Sequence, residues 1–549
     1  MVSKRPARPQ PLFLFLLFAL LFSLQVLPRL NEDSPAGDEP IDIVDGYYYW
    51  KGDVLSTAEH PPLSKALQGL PLWVLGARDH SDIPFSIYDQ RDWHFFFILN
   101  QDRWPLFLVF SRVVSWLFGL GIGFLLYRIV RWESTVFSVI VLCFWSLDPS
   151  LLAFSGLAMA DVPLTLLFLG AVWRFQKAVE KPGAGPFLKT GLLVGMAVTT
   201  KFTAGLLAPI FGVLELTRIW TAKKKTKDGI IVLKRWGWMG AAACAWIFLI
   251  YSPGTVGTPE HRWPFYYFIE GLKAIFFSVG RPVYFRGMLD HHPNWAYYPT
   301  VFLLKTPLTL LILLTVALGL VGSGKIKIPV WQWITPLVFF FFLTPFHNVG
   351  VRMLLPMYPF LFLVAAKAGE WMWNRGTQKS RIFPILLTGL LGFQALSVGL
   401  SFPSQISYFN ESIRPDEKIY WLGDSNLDIG QDTKRLSEEA ARQGWAHVKL
   451  AYFGAADPAR YGMGWSAWTQ KDLQGPQAGW VYAINAEFIQ LARAYNPVAQ
   501  PILNSWISKV PPTGRVGDTW YYFVVPGEVK PDDSPAILSV PFLTRNTKP

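Results

Sequence analysis

The chain has 549 residues, 52% of them hydrophobic and 16% aromatic, and carries a formal charge of +12. Apolar content this high and this continuous excludes a string of ordinary soluble domains and points to a membrane protein. The positive charge does not indicate nucleic acid, because the basic residues fall between apolar runs rather than on one soluble face, as membrane topology requires. Cys143 and Cys244 both lie inside apolar runs, so neither a disulfide framework nor a zinc site is indicated.

Lys4, Arg5 and Arg8 precede an apolar run over 11–27 that reads either as a signal peptide or as a first span. An A-x-A cleavage site is missing and further spans follow, so a retained span with a cytoplasmic N-terminus is expected. Apolar stretches of spanning length, ~17 to 25 residues for a hydrocarbon core of ~30 Å, predict about eleven transmembrane helices. They cover 11–30, 104–127, 134–151, 162–178, 187–200, 201–217, 236–254, 306–323, 330–345, 353–369 and 382–401. Lys201 interrupts one long apolar region and marks the division between the fifth and sixth.

Lys and Arg collect in alternate loops, as they do on the cytoplasmic side of a membrane. Arg128 and Arg131, then Arg174, Lys177, Lys181 and Lys189, then Lys223, Lys224, Lys225, Lys227, Lys234 and Arg235 fall on one side, followed by Lys325, Lys327, Arg375, Lys379 and Arg381. Segments 31–103, 255–305 and everything from Phe402 onward are then external. The last of these changes character. Short β-rich runs at 419–422, 448–453, 480–484 and 520–525, with a helix-like stretch at 432–443, predict an extracytoplasmic α/β domain over 402–549 after a membrane module over 1–401.

The first external loop concentrates acids, aromatics and prolines: Asp38, Glu39, Asp42, Asp45, Tyr47, Tyr48 and Tyr49, then Glu59, His60, Pro61, Pro62, Leu63 and Lys65. Composition alone reads this as a solvated loop with interfacial tyrosines. The order of its parts, an acidic DE pair, an aromatic cluster and then EHPPLSK, resembles the first external loop of the protein O-mannosyltransferase family, in which DE is followed by HPPLGK. Ser64 stands in place of the glycine. Four further elements resemble the broader GT-C superfamily, including the lipid A aminoarabinose transferases. They are LDPSLLAFSGLAMADVP with Asp161, TTKFTAG with Lys201, NWAYYPTVFLLKTP with Trp295, Tyr297, Tyr298 and Lys305, and NVGVRMLLPMYPF with Arg352. YFNES, GDSNLDIGQD and YFGAADPARYG resemble the external C-terminal region of bacterial relatives, whereas the inserted lumenal domain of the eukaryotic mannosyltransferases has no counterpart.

The resemblance implies a polytopic GT-C fold and transfer of a monosaccharide, mannose by likeness, from a polyprenyl-phosphate donor to a hydroxyl at the outer face of the inner (cell) membrane. Asp38 is the implied general base, and a single displacement would invert the anomeric centre. Arg352 and Lys201 suit the phosphate leaving group, the first as a fork and the second as a point charge, against an alternative of interfacial snorkelling. Glu39 would orient the base or bind acceptor, and Asp161 would position the loop or the donor sugar. His60 and Lys65 would contact the donor or order the loop, and Pro61 and Pro62 would stiffen it. His347 is a weaker phosphate candidate.

No cofactor is expected beyond the lipid-linked donor. A hard-cation site at Asp38, Glu39 and Asp161, or a metal at Asp290, His291 and His292, has no spacing in its favour. Asn410 opens a formal N-glycosylation pattern. The acceptor is a protein or a glycolipid, and the bilayer is a partner. The rival class is a transporter or flippase of lipid-linked sugars, which would show repeats and mid-membrane charges rather than an acidic external loop.

Overall fold

The computed structural model describes residues 9–52, 59–79, 92–181, 183–221, 228–255, 263–277, 282–345, 348–378, 381–495 and 499–529. Lys4, Arg5, Arg8, Lys223, Lys224, Lys225, Lys227, Lys379 and His347 lie outside these. The chain is a multi-pass helical membrane protein whose spanning segments are helical because the backbone must satisfy itself where water is absent, and apolar because they face hydrocarbon. Among the described residues five helices are long and apolar enough to cross: Leu12–Glu32, Trp104–Val130, Phe202–Thr221, Val351–Gly376 and Ile382–Leu400.

Two bent pairs raise the number to seven, short of the eleven that the hydropathy runs suggest. Thr135–Ser146 and Pro149–Ser155 meet at 52°, and Tyr297–Lys305 and Leu308–Gly322 at 110°. Both breaks fall at prolines, and at the first the Asp148 side chain accepts from Leu151 N at 2.8 Å to start a new helix. The expected spans at 187–200 and 330–345 are the shorter helices Gly185–Val198 and Val330–Leu343. Lys201 does divide its apolar region: it sits in extended backbone, φ −158° and ψ 133°, before the 3-10 turn Phe202–Leu206.

Small residues let these helices approach closely. The Trp145 ring lies on helix Trp104–Val130, where a Cβ at Gly123 would meet it at 2.3 Å, and its Nε1 donates to Gly119 O at 3.1 Å. On the first external loop, helices Glu39–Tyr49 and Pro62–Val74 cross at Gly46 and Gly69. A Cβ on Gly46 would meet Lys65 O at 1.8 Å, and one on Gly69 would meet Gly46 C at 2.1 Å.

The C-terminal region is built on a five-stranded sheet of order β4-β3-β5-β7-β6, from β3 (Val448–Ala451), β4 (Ser466–Ala467), β5 (Val481–Asn485), β6 (Gly514–Val516) and β7 (Trp520–Val524). β3 runs parallel to β4 and β5, whereas β7 is antiparallel to β5 and β6. Helix Thr433–Gln443 leads into β3 and ends at Gly444, whose φ of +67° suits glycine. The run at 419–422 is not a strand of this sheet. Lys418–Trp421 is a helical turn, and Leu422 bridges Phe285 in the hairpin of β1 (Val283–Phe285) and β2 (Met288–Asp290).

Residues beyond 402 are tied into the membrane part before the sheet begins. Asn410 Nδ2 donates to Leu303 O at 2.6 Å and Thr306 O at 2.8 Å, satisfying carbonyls at the sharper helix break. That fully buried amide is thus committed inside the fold rather than presented as a glycosylation acceptor. At the carboxyl ends of β3 and β5, Asn485 donates to Asp428 Oδ2 at 2.9 Å and Phe453 O at 2.8 Å, and Glu487 N donates to Asp428 at 2.9 Å. Burial pushes the Asp428 carboxyl up to about 7, against the hydrogen bonds that favour its charge.

Candidate active site

The loop before helix Glu39–Tyr49 is held from two sides. Arg112, on the span Trp104–Val130, directs all five guanidinium N–H groups into it. Its Nε and Nη2 grip Glu39 at 2.9 and 2.6 Å, while Leu30, Asp33 and Ser34 carbonyls accept at 2.9, 2.7 and 2.8 Å. From the C-terminal side, Ser34 N donates to Gln431 O at 2.9 Å and Gly37 N to Ile429 O at 2.8 Å. Gly37 has φ of +49°, a conformation glycine adopts without penalty. Burial would raise the Asp33 carboxyl, but Arg29, Arg435 and Arg112 hold it below the usual carboxylate range.

Asp38 and Glu39 are neighbours with opposite surroundings. Glu39 is fully buried, and besides Arg112 its oxygens accept from Ala36 N at 2.8 Å and Ala158 N at 2.7 Å. No face of that carboxylate is open to a substrate, so of the two expected roles, orienting the base and binding acceptor, its surroundings fit the first. Asp38 stands at the N-cap position without capping its own helix, partly exposed, with Oδ2 3.7 Å from Arg352 Nη2.

Arg352 links three distant parts of the sequence. Its Nη1 lies 4.0 Å from Asp161 Oδ2 and 3.7 Å from Met159 Sδ, and among the described residues its buried Nε has no hydrogen-bond partner. Asp161, at the start of helix Asp161–Val179, accepts from Lys201 Nζ at 2.6 Å. Leu63 N donates to Thr199 O at 2.9 Å, which joins the EHPPLSK element to the Lys201 turn. Asp38, Asp161, Lys201 and Arg352 therefore form one constellation. The contrast between the arginines is chemical: Arg112 has spent every donor within the fold, whereas among the described residues Arg352 makes only contacts of 3.7 Å or longer.

His60 Nδ1 lies 2.9 Å from Asp42 Oδ1. Burial disfavours its charge, but Asp42 and Asp38 outweigh this and raise its pKa. Lys65 is brought to Asp45 at 2.9 Å and is buried along the same helix pair. Tyr297 and Tyr298 are buried near Arg352, whereas Lys305 donates to Ile406 O and Asn426 O at 2.9 and 2.6 Å and faces the C-terminal region. Asp290 is occupied locally by His292 N and Asn294 Nδ2 at 3.2 and 2.9 Å. Among the described residues no group of three or more His, Cys, Asp or Glu side chains is arranged to hold a metal ion.

Sequence reasoning passed over Arg112, Asp33, Arg435 and Asn426. Arg112 had a signal: an ionisable residue inside the run 104–127 is a site by default in a membrane. Asn426 lies inside the GDSNLDIGQD element, which assigned it no role, and Asp33 and Arg435 are ordinary residues until the fold pairs them.

Residues 44–251 match the model of the dolichyl-phosphate-mannose-protein mannosyltransferase family. That matched stretch includes His60, Lys65, Asp161 and Lys201. Asp38 and Arg352 lie outside it and join it only in three dimensions. No curated protein matches the chain by sequence. Among solved structures, ArnT from Cupriavidus metallidurans bound to undecaprenyl phosphate is similar at 12% identity and a TM-score of 0.47, over 93% of this chain and 98% of that one. The Saccharomyces cerevisiae Pmt1-Pmt2 complex bound to the sugar donor shares 18% identity at a TM-score of 0.34, over 52% of this chain and 39% of that one. The oligosaccharyltransferase of Archaeoglobus fulgidus in the apo form shares 10% at 0.43, over 80% and 62%.

Proposed function

We propose that this protein is an inverting glycosyltransferase that moves a mannose-like sugar from a polyprenyl-phosphate donor to an acceptor hydroxyl on the outer face of the cell membrane. The observation that carries the reading is the Asp38, Arg352, Asp161 and Lys201 constellation, in which a partly open carboxylate adjoins a guanidinium with donors to spare. Asp38 takes the proton of the acceptor hydroxyl as its oxygen attacks the anomeric carbon, and the bond from that carbon to the phosphate oxygen breaks. The departing phosphate gathers charge beside Arg352, with Lys201 and Asp161 fixing the local field, and such preorganised charge is most effective where water is scarce. Since phosphate leaves readily as an anion, no further cofactor enters the scheme. His60 with Asp42 and Lys65 with Asp45 support the loop, and Glu39 acts by positioning it. The acceptor is a protein or glycolipid hydroxyl.

The test is transfer of radiolabel from polyprenyl-phosphate mannose to membrane extract by purified wild type and Asp38→Asn. Loss of ~10²- to 10⁴-fold is expected for a removed general base. Equal transfer would end the assignment. Movement of the donor across sealed vesicles without any bond to an acceptor would identify a flippase instead.

A further inference from the structure

Arg352 is the second residue of a 3-10 turn, Val351–Met357, whose first N–H groups have no partner within the turn. The local N-cap residue is Gly350, which has no side chain to supply one, and its φ of +156° suits glycine. The partner comes from the C-terminal region: Asn426 Oδ1 accepts from Val351 N at 2.9 Å. Asparagine is among the best capping residues, and here it caps in trans, 75 residues away in sequence.

Asn426 is fully buried and satisfied on every side. Its Nδ2 donates to Tyr297 OH at 3.0 Å and Gly423 O at 2.9 Å, and its carbonyl accepts from Lys305 Nζ at 2.6 Å. Space around the cap is closed as well. A Cβ at Gly350 would meet Ser425 Oγ at 2.3 Å, and Ser425 Oγ donates to Val349 O at 3.3 Å. The backbone on both sides of Gly350 is thereby fixed against the turn that holds Asn426, while the Arg352 head group is left with long contacts.

We propose that Asn426 is a positioning residue for transfer, capping the Arg352 turn from the C-terminal region so that the guanidinium is aimed between Asp38 and Asp161. The proposal rests on the assignment of Arg352 to the departing phosphate. It makes the region beyond 402 part of the reacting geometry rather than an appended acceptor module. Lys305 and Tyr297 serve through Asn426, the lysine donating to the carbonyls of Ile406 and Asn426 and the tyrosine accepting from its amide.

The experiment is a double-mutant cycle on the full chain in detergent, with polyprenyl-phosphate mannose as donor and initial rates of radiolabel transfer to membrane extract. Asn426→Ala should lower the maximal rate on the order of 10- to 100-fold, since misplacement by ~1 Å can cost about 10²-fold. The donor concentration for half-maximal rate should move less than about threefold, a split expected when transition-state rather than ground-state contacts are lost. In the Arg352→Ala background the same substitution should add less than about threefold. Asn426→Asp keeps the oxygen that accepts from Val351 N but loses the amine that donates to Gly423 O, so its rate should fall between those of Asn426→Ala and wild type. If Asn426→Ala does not fold, Val351→Pro deletes the same N–H at a position where proline is tolerated, and the same rate loss is expected. A full multiplicative loss in the Arg352→Ala background, or an unchanged rate in Asn426→Ala, would overturn the proposal. A harmless Arg352→Ala would instead overturn the phosphate assignment beneath it.

Discussion

Replacing Glu39 by glutamine separates the two adjoining acids by what each is for. The Glu39 carboxylate accepts four hydrogen bonds, two from the Arg112 guanidinium and two from backbone amides, with no exposure to solvent. A glutamine keeps one accepting oxygen and turns an NH2 group towards two of those donors. Charge-assisted hydrogen bonds contribute about 1.5–3 kcal/mol each, and breaking a buried pair by removing one partner costs about 3–5 kcal/mol because the other charge is stranded. Glu39→Gln should therefore lose about 3–5 kcal/mol of stability, seen as a large fall in the melting temperature of purified protein followed by tryptophan fluorescence. Asp38→Asn, next to it, should melt within about 1 kcal/mol of wild type and yet lose transfer, since its contact to Arg352 is long and partly open. A Glu39→Gln protein that melts like wild type but has the transfer defect of Asp38→Asn would refute the division, and Glu39 would then belong to the chemistry.

Arg352→Lys keeps the charge but not the fork, so transfer should fall at least about tenfold while Arg352→Ala falls further; equal rates for lysine and arginine would show that a point charge suffices. The His60 pKa is raised in the folded state, so its contribution to stability is complete below the unfolded value of ~6.5 and is lost as pH rises through the folded value. The melting-temperature advantage of wild type over His60→Gln should accordingly shrink from about pH 6 to pH 9, and a constant difference would show that the Asp42 contact does not favour the charged imidazole. Gly46→Ala places a methyl 1.8 Å from Lys65 O, so the loop helices must separate, with a loss of about 1–3 kcal/mol or more and reduced yield of folded protein.

The membrane class was open to reading because apolar runs and alternating basic loops are written residue by residue. Bends are not. Asp148 with Pro149, and Pro307 with the preceding break, interrupt runs whose average hydropathy stays high, so a count of runs exceeds the count of straight spanning helices. Asp38 and Glu39 look alike in sequence, and only the arrival of Arg112 from 73 positions away makes one structural. Asp161, Lys201 and Arg352 were found by motif resemblance alone, since nothing in their spacing places them together. The run at 419–422 had the composition of a strand, but its neighbour in space is the hairpin at Phe285 rather than the sheet edge. The short strands β4 and β6, of two and three residues, left no periodic signal.

The sheet carries one more consequence at the carboxyl ends of β3 and β5. The chain steps to one side of β3 to form β4 and to the other to form β5, which creates the crevice where open α/β sheets ordinarily take a small molecule. Here Asn485 and the Glu487 amide close on Asp428, a residue of the chain itself. The usual vacancy has become a socket with its plug built in, and the same stretch of backbone receives Ser34 and Gly37 of the first loop. Remodelling the socket would therefore unmoor the loop that carries Asp38.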